Sequence, residues 1–282
     1  MHTAARFWVG VVAGVALGGA LAQTPAVLGG MGAATTAPPA TAPVQAPTRE
    51  LRFLTEPFPP YTYASEGHAA GPMVDVLQAA CARLVWRCEV EVMPWRRALA
   101  MAQRGEVEGL FTVVDSPERR QYFHVSPPGI EGRYVLFTRA GSGLHYQGDA
   151  QVLAGRTVGA YGPSATALTL ESLIDGVPRV RSEIEPDNRT VLRKLAAGRY
   201  GEDGAALVNE AVAQLLIRED NLTALQPAGL VKTFGYAFGL NRQTVDPAQA
   251  AAFAKAVYEL CRSGRTAELL KPYGLPVSHC VR

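Results

Sequence analysis

Short apolar runs alternate with helix-spaced segments twice in succession between residues 51 and 114, and this alternation limits the fold more than any other feature of the chain. The runs lie at residues 51–54, 89–92 and 107–114. Between the first two, Met73, Leu77, Ala80, Cys81 and Leu84 recur at helical spacing; between the last two, a shorter helical pattern follows Met93-Pro94-Trp95 and ends at Gly105. Strands separated by helices pair in parallel through right-handed crossovers. The unbroken apolar run at 107–114 suits a strand buried on both faces, so the chain predicts an α/β layer fold.

The alternation then repeats. Gly141-Ser142-Gly143 marks a transition, after which residues 157–161 read as a strand and Gly162-Pro163-Ser164 as a turn whose serine caps a helix running to Ile174. A strand at 179–182, a helix at 188–197 closed by Gly198 and a strand at 205–208 follow. Residues 134–138 carry the chain out of the first set of elements and residues 233–239 bring it back. The last elements are a helix at 247–263, with Ala250, Phe253, Val257, Leu260 and Cys261 on one face, and a short helix reaching Lys271. The expected architecture is two Rossmann-like lobes joined by a two-strand hinge, with residues 49–138 plus 238–282 in lobe 1 and 139–237 in lobe 2. Two such connections permit hinge closure around a solute.

The first 22 residues stand apart from this pattern. Arg6 precedes an apolar run from Phe7 to Leu17, and Ala20-Leu21-Ala22 fits the small-residue cleavage rule, so residues 1–22 read as an export signal peptide. The alternative is a membrane anchor, since glycines and alanines extend the apolar run towards the roughly 17-residue minimum for a span. Residues 23–48 are Ala, Pro, Thr and Gly-rich, carry no charged residue and read as a disordered linker. Removing Arg6 with the leader lowers the formal net charge from +2 to +1, which leaves no basic surplus for nucleic acid.

An even cysteine count in an oxidising compartment predicts disulfides, here Cys81 with Cys88 and Cys261 with Cys280. No Cys-x-x-Cys pair is present and His279 stands alone beside Cys280, so no metal or cofactor is expected.

Candidate binding groups gather at strand ends. Three prolines within four residues (Pro57, Pro59, Pro60) forbid helix and ladder after the first strand, which makes an ordered loop carrying Glu56, Phe58 and Tyr61. Carboxyl ends of strands are where open α/β sheets hold ligands. Thr112 in the third strand, Arg119 seven residues on and Trp95 upstream together suit a small anionic or zwitterionic solute, because a guanidinium matches a carboxylate bidentately and an indole gives a flat apolar wall. The helix start at Ser164 offers backbone donors to a carboxylate, or the serine acts as a cap alone.

This pattern resembles the family 3 periplasmic solute-binding proteins, the polar amino-acid binders of ABC transporters. The residues that carry the likeness are Thr112, Ser116-Pro117-Glu118-Arg119 and Val125-Ser126-Pro127, together with the Pro59-Pro60-Tyr61 loop, and the likeness spans about Leu51 to Gly274. It implies a type II periplasmic binding fold and a soluble periplasmic monomer. Such a protein traps a small carboxylate-bearing solute and delivers it to an inner-membrane ABC permease. It also implies that Arg119 clamps the ligand carboxylate, although the spacing from Glu108 fits Arg119 or Arg120, and that Trp95 stacks on the ligand. Glu56, Phe58 and Tyr61 would line the cleft and Ser164 would bind from the second lobe. Asn209 stands where relatives use an aspartate to pair the ligand ammonium. The amide weakens that pairing by about 1 kcal/mol or more, which opens two alternatives: a carboxylate without the amine, or an amino acid held through Glu56 or Glu210. Rival readings are a sensory or accessory binding module with another membrane partner and, on the same fold, a dehydratase using Glu56 or Glu210 as acid or base. The chain is read as a binder and not an enzyme.

Overall fold

The computed structural model of the chain describes residues 48–281, so the expected leader over residues 1–22 and all of the linker over residues 23–48 except Thr48 lie outside the described residues. The first half contains β1 (Arg49–Thr55), a hairpin of β2 (Tyr63–Ser65) and β3 (His68–Ala70), α1 (Pro72–Arg83), β4 (Trp86–Val92), α2 (Trp95–Gln103) and β5 (Gly109–Val114). Next, α3 (Pro117–Tyr122) and β6 (Phe123–Val125) lead into the long strand β7 (Ile130–Arg139). The second half comprises β8 (Thr157–Tyr161), α4 (Ala165–Ile174), β9 (Arg181–Glu185), α5 (Asn188–Ala196), β10 (Ala205–Asn209) and α6 (Glu210–Glu219). The chain returns along β11 (Leu225–Asn241) and finishes with α7 (Pro247–Arg262) and α8 (Arg265–Leu270).

Among the described residues one mixed sheet runs in the order β4-β1-β5-β11-β7-β10-β8-β9, with β6 paired to β11. The parallel pairing predicted from the alternation is present: β1 pairs with β4 and β5, and β8 with β9 and β10, all in parallel. Each half therefore has its first strand in the middle. The connecting strands β7 and β11 lie antiparallel between the halves, and the expected lobe limits at residues 138 and 237 fall within them.

Phe53, Phe111, Phe238 and Phe253 form the centre of the first half, all fully buried, with Phe53 and Phe253 stacked at 6.0 Å. Gly109 makes this packing possible, because a Cβ there would lie 2.1 Å from the Phe53 ring. Removing one such ring from a core typically costs about 3–5 kcal/mol. In the second half Leu153, Val158, Leu170 and Leu207 form a further cluster. The Sγ atoms of Cys81 and Cys88 are bonded at 2.06 Å, tying the end of α1 to β4, and Cys261 is joined to Cys280, as the local pairing predicted.

Several elements depart from the sequence reading, among them α6, which it did not anticipate. β11 is 17 residues long, not the seven expected, and runs through Pro227 and Gly229, which flank a register shift where a missing ladder donor is tolerated. The strand expected at 179–182 begins instead at Arg181, because Arg179 takes a left-handed backbone (φ 59°) that no ladder accepts. The β2–β3 hairpin was not foreseen; its turn residues Glu66 and Gly67 both have positive φ, as tight hairpins require. No helix among the described residues is long and apolar enough to cross a membrane.

Candidate functional site

Strand ends from both halves converge on a small chamber of about 30 Å³. From the first half come Glu56 and Phe58 after β1, Trp95 at the start of α2, Thr112 in β5 and Arg119 in α3. The facing wall is Tyr161 at the end of β8 with Ser164, Ala165 and Thr166 at the start of α4, and the floor is Tyr134 and Tyr236 from the connecting strands.

Arg119 is positioned by its helix. Ser116 caps α3, its hydroxyl accepting from the Arg119 N–H at 3.2 Å, and Pro117 supplies the fixed first turn. The side chain is 7% exposed, and its nearest carboxylate is Glu118 at 3.8 Å, a half-exposed group. Nη1 is buried without a hydrogen-bond partner, and burial holds the guanidinium pKa below its ordinary value, with Glu118 acting weakly the other way. The guanidinium carbon lies 5.7 Å from the centre of the Trp95 ring, whose own Nε1 is also buried and unpartnered. Arg120, the other candidate clamp, is exposed and held by both oxygens of Asp115 at 2.8 and 2.5 Å. Of the two arginines, the one in the chamber is Arg119.

Thr112 reaches the chamber through a bulge. Along the β5–β11 ladder Val113 faces Ala237 and Phe111 faces Phe238, so Thr112 has no opposite residue and adopts φ 67°. A β-branched residue there is strained by about 1–3 kcal/mol, and bulges commonly re-aim a side chain beside a site. Its hydroxyl meets that of Thr55 at 2.9 Å. Thr112→Gly is expected to raise the melting temperature of the ligand-free protein by relieving about 1 kcal/mol of that strain. A lowered melting temperature would show that the threonine's contacts outweigh its backbone cost.

Glu56 accepts the Tyr161 hydroxyl at 2.7 Å, a hydrogen bond that joins the two halves. Desolvation pushes its carboxyl up to about 7, with the Tyr161 bond opposing the rise. Phe58 stacks on Tyr61 at 5.5 Å. Tyr61 itself does not line the chamber; it is buried behind Phe58, and its hydroxyl donates to Asn209 Oδ1 at 3.2 Å. Asn209 is likewise outside the lining: its Oδ1 also accepts from the Val212 N–H, capping α6, and its Nδ2 donates to the Tyr236 hydroxyl. Ser164 lines the chamber, but its hydroxyl is engaged as the α4 cap, accepting from the Thr166 and Ala167 N–H groups and donating to the Tyr161 carbonyl. Glu210 pairs with Arg133 at 3.0 Å and is not part of the lining.

Sequence reasoning missed the tyrosines. Tyr134, Tyr161 and Tyr236 are all less than a tenth exposed and look like ordinary core positions of strands. Tyr161 was visible only as the residue just before a Gly-Pro-Ser turn at a strand's carboxyl end. Among the described residues no group of three or more His, Cys, Asp or Glu side chains is placed to hold a metal.

The family described as bacterial extracellular solute-binding proteins, family 3, matches residues 51–276. Solved structures share the fold. A histidine kinase sensor domain with similarity to periplasmic binding proteins is 21% identical with a TM-score of 0.70, covering 81% of this chain and 98% of its own. The arginine-, lysine-, histidine-binding protein ArtJ from Geobacillus stearothermophilus is 21% identical with a TM-score of 0.65, over 80% of this chain and 95% of its own. The amino acid ABC transporter substrate-binding protein AbpA from Streptococcus pneumoniae, bound to L-arginine, is 22% identical with a TM-score of 0.63, over 79% and 93%. Among curated proteins none matches.

Proposed function

The chain belongs to the bacterial extracellular solute-binding proteins, family 3, and from that premise we propose that it captures a small carboxylate-bearing solute between its two halves outside the cytoplasm and delivers it to an ABC permease. The observation that carries this reading is Arg119: a nearly buried guanidinium that lines the chamber, whose Nη1 has no hydrogen-bond partner and has only half-exposed Glu118, 3.8 Å away, as counter-ion. A buried charge this weakly paired is costly unless a ligand supplies a better partner. A bidentate carboxylate is the natural complement, with Trp95 and Phe58 flanking its body.

Closure follows from the contacts that join the two halves at and beside the chamber. Glu56 meets Tyr161 and Tyr61 meets Asn209, while the volume of the chamber, about 30 Å³, is on the order of two water molecules. A solute of even three carbons therefore enters only when the halves part, and the β7–β11 pair, the connection through which they join, serves as the hinge. Residues 1–22 direct export to the periplasm and residues 23–48 tether the domain in this scheme.

The test is a thermal-shift screen with amino acids, dicarboxylates, short monocarboxylates and small amines. A ligand at about 100 times its Kd raises stability by about 2.7 kcal/mol, so carboxylates are expected to shift the transition and amines are not. No shift with any carboxylate overturns the reading. A sensory role shares this capture step and is favoured by the likeness to a kinase sensor domain; loss of solute uptake on deletion of the gene supports delivery to a permease, and intact uptake supports sensing.

A further inference from the structure

The polar atoms of the chamber are unevenly used. Most lining side-chain oxygens are already engaged: one oxygen of Glu56 accepts from Tyr161, Thr112 is hydrogen-bonded to Thr55, Ser164 caps α4, and the Tyr134 hydroxyl is hydrogen-bonded to Thr166 and Tyr236. Two buried side-chain atoms of the lining residues lack hydrogen-bond partners, Arg119 Nη1 and Trp95 Nε1, and both are donors. A ligand that completes this site must present acceptors to both. An ammonium has none to offer, and it would place a second cation beside Arg119, whose guanidinium is already desolvated. The groups that could hold an ammonium are accounted for elsewhere. Asn209 is consumed by Tyr61, Tyr236 and the α6 cap, and Glu210 by Arg133.

Resting on the capture reading above, we propose that the solute is a 2-oxo or 2-hydroxy acid rather than an amino acid. Its carboxylate pairs with Arg119, and the oxygen on the adjacent carbon accepts from Trp95 Nε1. The side chain of the acid continues past Glu56 and Phe58 into the adjoining groove, where Pro57, Pro94, Val212 and Leu216 provide apolar walls. Glu56 is the one lining carboxylate, and its bond to Tyr161 across the chamber is part of the closed arrangement.

The experiment is isothermal titration of the full chain with matched sets on three skeletons: pyruvate, lactate, propionate and alanine; 2-oxoglutarate, 2-hydroxyglutarate and glutamate; 4-methyl-2-oxopentanoate and leucine. In the skeleton that binds, the oxo or hydroxy acid is expected to exceed the amino acid by at least about tenfold, the consequence of leaving the Trp95 donor unpaired and desolvating an ammonium beside a guanidinium. Trp95→Phe keeps the ring and removes the donor. It is expected to shrink the preference for an oxygen at the 2-position, measured as lactate over propionate or its equivalent in the binding skeleton, by about tenfold. An amino acid that binds more tightly than its oxo and hydroxy counterparts overturns this inference and leaves carboxylate capture standing. Equal loss of all acids in Trp95→Phe overturns the role of Nε1. If no acid in any set binds the unaltered protein, the capture reading fails and this inference with it.

Discussion

Arg119→Leu is expected to abolish the thermal shift given by a carboxylate ligand while leaving the ligand-free protein more stable than the unaltered chain. Both effects come from one fact. The guanidinium is buried, and its nearest acid is a half-exposed glutamate at 3.8 Å, an exposed-type pair worth little. Replacing a poorly compensated buried charge with an apolar side chain is often neutral or stabilising by about 1–4 kcal/mol. At the lower end of that range the melting temperature of a domain this size rises by about 2–4 °C. Binding moves the other way. Truncating one partner of a buried charge pair costs about 2–5 kcal/mol, so about one and a half to three and a half decades of affinity are expected to go. Scanning fluorimetry of both proteins, with and without saturating acid, reads the two effects in one experiment. A destabilised variant that still shifts with ligand would place the arginine in a structural role and remove it from the site.

The same contrast between built-in cost and ligand repayment runs through the rest of the chamber. Thr112 carries a left-handed backbone, Trp95 an unpartnered indole N–H and Glu56 a carboxyl held away from water. Each is a local expense that ordinary core packing would not retain, and all three lie against one small volume. Clusters of this sort mark functional sites because strain and desolvation persist only where surrounding structure holds them in place.

What could be read from the sequence follows the range of the interactions involved. The order of strands and helices and their parallel pairing were legible because hydrophobic period and crossover handedness are local properties, visible within windows of residues such as 51–54 and 107–114. The cysteine pairs were legible because each closes a short loop. The chamber floor was not. Tyr134, Tyr161 and Tyr236 come from three strands, and their convergence depends on a sheet register that includes two irregularities in β11 against β7. Thr112 was picked out, yet nothing in Gly109-Leu110-Phe111-Thr112-Val113-Val114 signals a bulge, since threonine is among the residues least suited to positive φ. Asn209 shows how a likeness can identify a position and miss its local work. An asparagine just before Glu210 is a good helix cap, and α6 begins at that glutamate, but the helix was not anticipated and the side chain was read only as a ligand contact.

Glu56 supplies the other large expected effect, a dependence of stability and affinity on pH that Glu56→Gln removes. Burial raises its carboxyl from an ordinary 4.5 to about 7. At pH below the lower value Glu56 is protonated in folded and unfolded chains alike. Between the two values the unfolded chain has lost its proton and the folded chain has kept it, so the unfolded state gains, and stability falls as pH rises through this window and levels off above about 7. The full separation corresponds to about 3 kcal/mol, reduced by the partial reach of this residue to solvent to an effect on the order of 1–2 kcal/mol. Glu56→Gln keeps an acceptor for the Tyr161 hydroxyl and has nothing to ionise, so its stability is expected to match the unaltered protein near pH 4.5 and exceed it at pH 8. Ligand binding carries the same sign. A bound anion near Glu56 favours the protonated carboxyl, so binding takes up a proton and affinity falls above about pH 7, by at most tenfold per pH unit for one coupled proton. Titrations at pH 6, 7 and 8 read this slope directly. A slope that persists in Glu56→Gln assigns the proton to another group, and an affinity that rises with pH would mean that the bound solute brings positive charge to Glu56.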